Sequence, residues 1–117
     1  MAEGVKNRAL AKELTTSNQD IYTVPGHFVS KVTSIIVSNK ASTTETFTLD
    51  WGQYDKISDT STYYTIGSSV EMKKNSILQI DDVMYLRSGD SIRALASNNS
   101  AITVTVSVEE SFRLSEL

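Results

Sequence analysis

A chain of 117 residues with a formal net charge of -3 and no cysteine has the size of one domain with one core, and it excludes disulfides and thiolate metal sites. The acidic balance argues against sequence-independent binding to nucleic acid, which depends on Lys and Arg neutralising phosphates. No stretch approaches the ~20 apolar residues of a membrane span, and the first residues lack the apolar run of a signal peptide, so no membrane partner is expected.

Serine occurs 17 times, threonine 13 times, valine and isoleucine together 19 times and proline once, a bias toward strands and polar turns. Residues 1–18 hold only Val5, Leu10 and Leu14 as sizeable apolar side chains. Leu10 and Leu14 share a face in a helix and equally in a strand, so periodicity leaves this stretch open. It reads as an N-terminal arm (1–18), ordered by docking, ahead of a β-sandwich domain (19–117). Val5, Leu10 and Leu14 are then the candidate assembly contacts. Residues 20–24 form a short strand closed by Val24-Pro25-Gly26-His27, where proline presets φ and Gly26 takes the positive φ of a type II turn. Residues 28–39 make a long strand whose centre, Ile35-Ile36-Val37, is apolar on both faces and belongs in the middle of a sheet. In residues 45–51, Phe47, Leu49 and Trp51 alternate with Thr46, Thr48 and Asp50.

Residues 52–62, rich in Asp, Ser and Thr, read as the longest irregular connection and hence as a functional tip or an assembly contact. Residues 63–66 and 70–72 are strand pieces around a bulge or turn at Gly67-Ser68-Ser69. Two short apolar runs, 76–80 and 83–86, are separated by Asp81-Asp82. Gly89-Asp90 marks a turn into a hairpin. Its first strand carries Ile92, Ala94 and Ala96 on one face. In its second, Ile102, Val104, Val106 and Val108 alternate with Thr103, Thr105, Ser107 and Glu109. About eight strands without a core helix indicate an all-β fold, an antiparallel, jelly-roll-like β-sandwich. Ile35, Val37, Phe47, Leu49, Ile92, Val104 and Val106 are its expected core.

Catalytic signatures are lacking. The single histidine, His27, has no recognisable nucleophile partner and reads as a turn residue. The aspartates lack the alternating spacing that wraps a cation and read as turn formers at strand ends, so neither metal nor cofactor is expected. Asn98-Asn99-Ser100 has the form of a glycosylation acceptor, but without a secretory signal it is a turn. Trp51, Tyr54, Tyr63 and Tyr64, around the expected loop, are the remaining candidates. Such rings either stack on a sugar, as in a carbohydrate-recognition module, or fill a core or an interface.

Three motifs recur in order: Ile21-Tyr22-Thr23-Val24-Pro25-Gly26-His27 leading into residues 31–39, then Tyr85-Leu86-Arg87-Ser88-Gly89-Asp90-Ser91-Ile92-Arg93-Ala94, then residues 102–110. Together with the opening Gly4-Val5-Lys6-Asn7-Arg8-Ala9-Leu10-Ala11-Lys12, this pattern resembles the small β-sandwich structural proteins of tailed bacteriophage virions. The resemblance covers most of residues 5–110 and is weakest over 52–80. It implies a non-enzymatic part of the virion, made in the host cytoplasm: a capsid decoration (cement) protein, or a tail, neck or fibre component. The implied partners are further copies of the chain, as a trimer by analogy, and other virion proteins such as the major capsid protein. The motifs carry over no catalytic residue.

Overall fold

The computed structural model describes residues 5–113; residues 1–4 of the expected arm and 114–117 of the tail lie outside the described residues. Nine strands follow one another: β1 (Val5–Glu13), β2 (Gln19–Thr23), β3 (Phe28–Asn39), β4 (Glu45–Asp55), β5 (Thr60–Met72), β6 (Ile77–Ile80), β7 (Met84–Leu86), β8 (Ser91–Ala96) and β9 (Ile102–Phe112). One sheet runs β1-β9-β3 and is completed by β6 and β7, which pair with successive parts of β3; the other runs β2-β8-β4-β5. Every pairing is antiparallel. Counting β6 and β7 as one interrupted strand gives four strands on four, the layout of a jelly roll.

The alternation in β9 holds without interruption. Ile102, Val104, Val106 and Val108 are buried, and the intervening residues are half-buried because β1 and β3 flank both edges. Strand β3 must change phase to keep its own apolar residues inward. Val32 and Ile35, both buried, have opposite parity, and a bulge between Val32 and Ser34 absorbs the difference. The same bulge accounts for the interruption beside it. β7 pairs with residues 30–32 and β6 with 35–38, so Asp81 and Asp82 face the break, where carboxylates stay in water. Across the sandwich, Phe47, Leu49, Ile92, Ala94 and Ala96 complete the core, and all seven expected core residues are buried.

The expected hairpin of β8 and β9 does not form: β8 pairs with β2 and β4 in one sheet and β9 with β1 and β3 in the other, so the turn between them crosses the sandwich. Three further expectations need correction. The first concerns residues 1–18. Residues 5–13 are a strand of the domain's own sheet, in register with β9 from Val5↔Ser111 to Glu13↔Thr103. Leu14 is completely buried, its amide donating to the Ile102 carbonyl and its carbonyl accepting from Ser100. The weak apolar pattern of β1 follows from its place at a sheet edge, exposed on both faces. Second, no long loop spans 52–62. Strands β4 and β5 continue as a hairpin closed by residues 56–59, with Asp59 at φ 56° and the Asp55 carboxylate accepting from the Ile57 amide at 3.0 Å. Its serines and threonines suit a strand with little to bury. Third, the turn after β2 sits one residue later than expected. The Phe28 amide donates to the Pro25 carbonyl at 3.2 Å, and His27, not Gly26, takes the positive φ of 69°.

The Gly89 turn behaves as the sequence implies. Its φ is +88°, and an added Cβ would sit 2.4 Å from the Tyr54 ring. Around it the Asp90 carboxylate accepts from the Tyr54 and Arg87 amides at 2.9 and 3.0 Å, and the Gly89 amide donates to the Val24 carbonyl at 3.0 Å. The turn thus ties β4 to the end of β2. Gly89→Ala is expected to lower stability by roughly 1–3 kcal/mol. Gly26→Ala, which meets nothing within 4 Å, should stay within about 0.5 kcal/mol; urea unfolding at unchanged slope compares them. Val104→Asp should prevent soluble folding, since an unpaired charge would enter a closed core, whereas Thr105→Asp should remain soluble.

Candidate functional site

The sandwich has two flanks, and they are built differently. On one side the edge strands are β1 and β2. In the β1–β9 register, Lys6, Arg8, Leu10 and Lys12 stand opposite Glu110, Val108, Val106 and Val104, so β1 carries three cationic side chains on the core side of the sheet, at its exposed rim. Each is engaged there. The Lys6 ammonium lies 5.6 Å from the centre of the Phe28 ring, the Arg8 guanidinium donates to Glu110 Oε2 at 3.0 Å, and Lys12 Nζ donates to the Asp20 carbonyl at 3.2 Å. Inward-pointing charge on an edge strand is a known guard against pairing with another chain.

Glu110 is the inner anchor of this flank. It is 1% exposed and also accepts from the Tyr22 hydroxyl at 2.6 Å. Burial, reinforced by the bond to the Glu110 carboxylate, pushes the Tyr22 hydroxyl well above its ordinary pKa of 10. Of the three expected assembly contacts, Leu14 lies in the core and Leu10 packs against it, while Val5 is 59% exposed.

The opposite flank is formed by β5 and by β6 with β7. The turn between β5 and β6 is held by Asn39, whose side-chain amide donates to the Thr43, Met72 and Lys73 carbonyls at 3.0–3.1 Å. Here several large exposed side chains are apolar, among polar neighbours: Tyr64 and Ile66 from β5, Ile77 and Leu78 from β6, then Val83 and Tyr85. Ile77 is 72% and Tyr85 74% exposed. No inward cation guards this edge among the described residues. The sequence signal for it was the run Ile77-Leu78-Gln79-Ile80, apolar on both faces in a very short strand, which reads equally as a buried strand.

The four aromatic candidates do not share one surface. Trp51 stands opposite the buried Ile92 and packs on Tyr64, ring centres 5.9 Å apart; its indole N–H is buried without a partner. Alternation sends Tyr63 to the other face, over Gly52, where the Arg93 guanidinium lies 3.5 Å from its ring centre. Arg93 in turn donates to Asp50 at 3.0 Å. Tyr54 packs on the Gly89 turn and donates from its hydroxyl to Asp59 at 2.6 Å. It alone of the four lines the 490 Å³ cleft at this end, with Gln53, Asp55, Lys56, Thr62, Arg87 and Asp90 around it. His27 sits in its turn with its ring 6.2 Å from that of Phe112. Among the described residues no group of acidic, histidine or cysteine side chains could hold a metal ion.

No protein-family model matches the sequence, and no curated protein does. Solved structures share its fold. A chain of the T13 viral particle of infectious bursal disease virus superposes with a TM-score of 0.59 at 4% identity over 93% of this chain. This chain spans only 31% of that one, about a third of its length. A subunit of the disulfide-linked pili that form Bacillus endospore appendages gives 0.53 at 14% identity, covering 98% of this chain and 96% of that one. A chain from the capsid of Helicobacter pylori bacteriophage KHP30 gives 0.50 at 10% identity, covering 99% and 94%. At these identities the likeness is one of fold.

The Tyr22–Glu110–Arg8 cluster has a measurable signature. Tyr22→Phe removes one donor from a buried carboxylate and should lower stability at neutral pH by about 1–3 kcal/mol. Above pH 10 unfolded Tyr22 ionises while the folded hydroxyl keeps its proton. The folded state then binds more protons, so this group makes stability fall as pH rises. The gap between parent and Tyr22→Phe should therefore narrow above pH 10 in urea melts.

Proposed function

We propose that this chain is a non-enzymatic structural protein of a bacteriophage virion, a capsid decoration protein that seats on the head lattice beside the major capsid protein and contacts its own copies. The observation that carries this reading is the unguarded apolar flank from Tyr64 to Tyr85. A small domain rarely leaves this many large apolar side chains along one flank exposed to water without a partner for them. Its motifs point the same way: the Gly89 turn and the phase-matched β3 and β9 hold a backbone together and build no reactive centre. The capsid chain of similar length and fold is consistent with such a role. The pilus subunit differs in one respect that matters, because this chain has no cysteine and its copies cannot be joined by disulfides. Val5, at the outer start of β1, is a further contact point, and the trimer implied by the resemblance is one arrangement of such a lattice.

A glycan-binding role would call for a shared aromatic platform, whereas Trp51 and Tyr64 face the inside of the sheet and Tyr63 the outside. Purified virions, separated on a gel and quantified by mass spectrometry, test the proposal. A copy number comparable to that of the major capsid protein is expected. A few copies per particle would move the protein to the tail or neck, and its absence from particles would overturn the virion reading.

A further inference from the structure

Strand β6 pairs with β3 on one side and, among the described residues, with no strand on the other. Its surroundings carry a charge order that invites a particular partner. The turn before it holds Lys73 and Lys74, and the segment after it holds Asp81 and Asp82; all four are exposed. Lys73, Lys74 and Asp82 make no ion pair among the described residues. Positive charge at the start and negative charge at the end makes the edge complementary to itself, but only when a second copy runs antiparallel. A parallel copy would set lysines on lysines and aspartates on aspartates.

We propose that β6 pairs with β6 of a second copy across a two-fold axis normal to the sheet, joining two β1-β9-β3-β6 sheets into one. Backbone and side chains agree on the register. The Asn39 amide donates to the Ser76 carbonyl at 2.9 Å, and antiparallel ladders alternate. Ser76, Leu78 and Ile80 therefore turn their backbone groups toward β3, and Ile77 and Gln79 turn theirs to the open edge. Leu78 and Ile80 stand opposite the buried Val37 and Ile35, so they lie on the core face, with Ile77 and Gln79 on the outer one. A two-fold axis normal to the sheet preserves faces, so opposed residues must match in face. Leu78 opposite Leu78 meets both conditions. Ile77 then exchanges backbone hydrogen bonds with Gln79 of the second copy, twice over, and the two half-exposed leucines extend the core across the axis. At each end the lysine-bearing turn of one copy comes beside the aspartates of the other. Isologous two-fold contacts are the commonest in soluble oligomers. This pairing goes beyond the virion reading and does not depend on it.

The test is the mass of the full chain by light scattering over a concentration series, with thermal melts as a check on folding. The parent should be a dimer. Lys73→Asp with Lys74→Asp should weaken it on the order of a hundredfold, because like charges across an interface are strongly unfavourable. Adding Asp81→Lys and Asp82→Lys to the same chain reverses the order of charge and should restore the dimer. Gln79→Pro removes an outward N–H and leaves the ladder to β3 intact, and it too should give a folded monomer. A monomeric parent, a trimer indifferent to these changes, or a failure of the fourfold swap to restore pairing while the chain remains folded would each overturn the proposal.

Discussion

Strand β9 is paired along both edges and closed over on its inner face, and the rest of the protein depends on that arrangement. Four apolar residues in strict alternation bury one face, while β1 and β3 cover its hydrogen-bonding groups on either side. A strand so placed has no solvent to lose its register to, because a slip of one residue would expose every apolar side chain and bury every polar one. The phase change in β3 is the accommodation its neighbour makes to this fixed pattern. The split between β6 and β7 follows from the same bulge.

The continuation of β9 beyond Val108 places a carboxylate where the next core residue would be. Glu110 is tolerated because Tyr22 and Arg8 supply its hydrogen bonds from two other strands. A buried carboxylate of this kind contributes little net stability when paired, yet removing one partner is damaging because the charge remains. Its main effect is to specify that β1 and β2 close this flank. The neighbouring cations on β1 lie on the same side of the sheet, Lys6 over the Phe28 ring and Lys12 on the Asp20 carbonyl, and the edge they leave is poor at recruiting a further strand.

The opposite flank has no such device, and this asymmetry gives the surface a direction. Two sheets stacked in a sandwich necessarily end in four edge strands. Here one pair is shielded by inward charge, and the other presents Ile77, Leu78 and Tyr85 beside free backbone groups. Such an edge is an aggregation hazard unless something specific occupies it. The ordering of charge around β6 selects among occupants, because it rejects a parallel copy and favours an antiparallel one.

Periodicity by itself determined the all-β class, the long β3, β8 and β9 as separate strands though not the sheet each joins, the buried residues of those strands and the need for glycine at position 89. Each rests on local patterns of two to twelve residues that no distant contact overrides. Other features were decided by tertiary structure. Val5, Leu10 and Leu14 carry too weak an alternation to announce β1, which takes its register from β9 a hundred residues away. The polar stretch after Gly52 has no dry face, so nothing local distinguishes a projecting hairpin from a loop. The adjacent Tyr63 and Tyr64 look like one aromatic patch in sequence, but a strand sends neighbouring side chains to opposite faces. The open flank is likewise invisible locally: an apolar run in a short strand reads the same whether a second sheet covers it or not. Its exposure is set by where β6 falls in the order of strands.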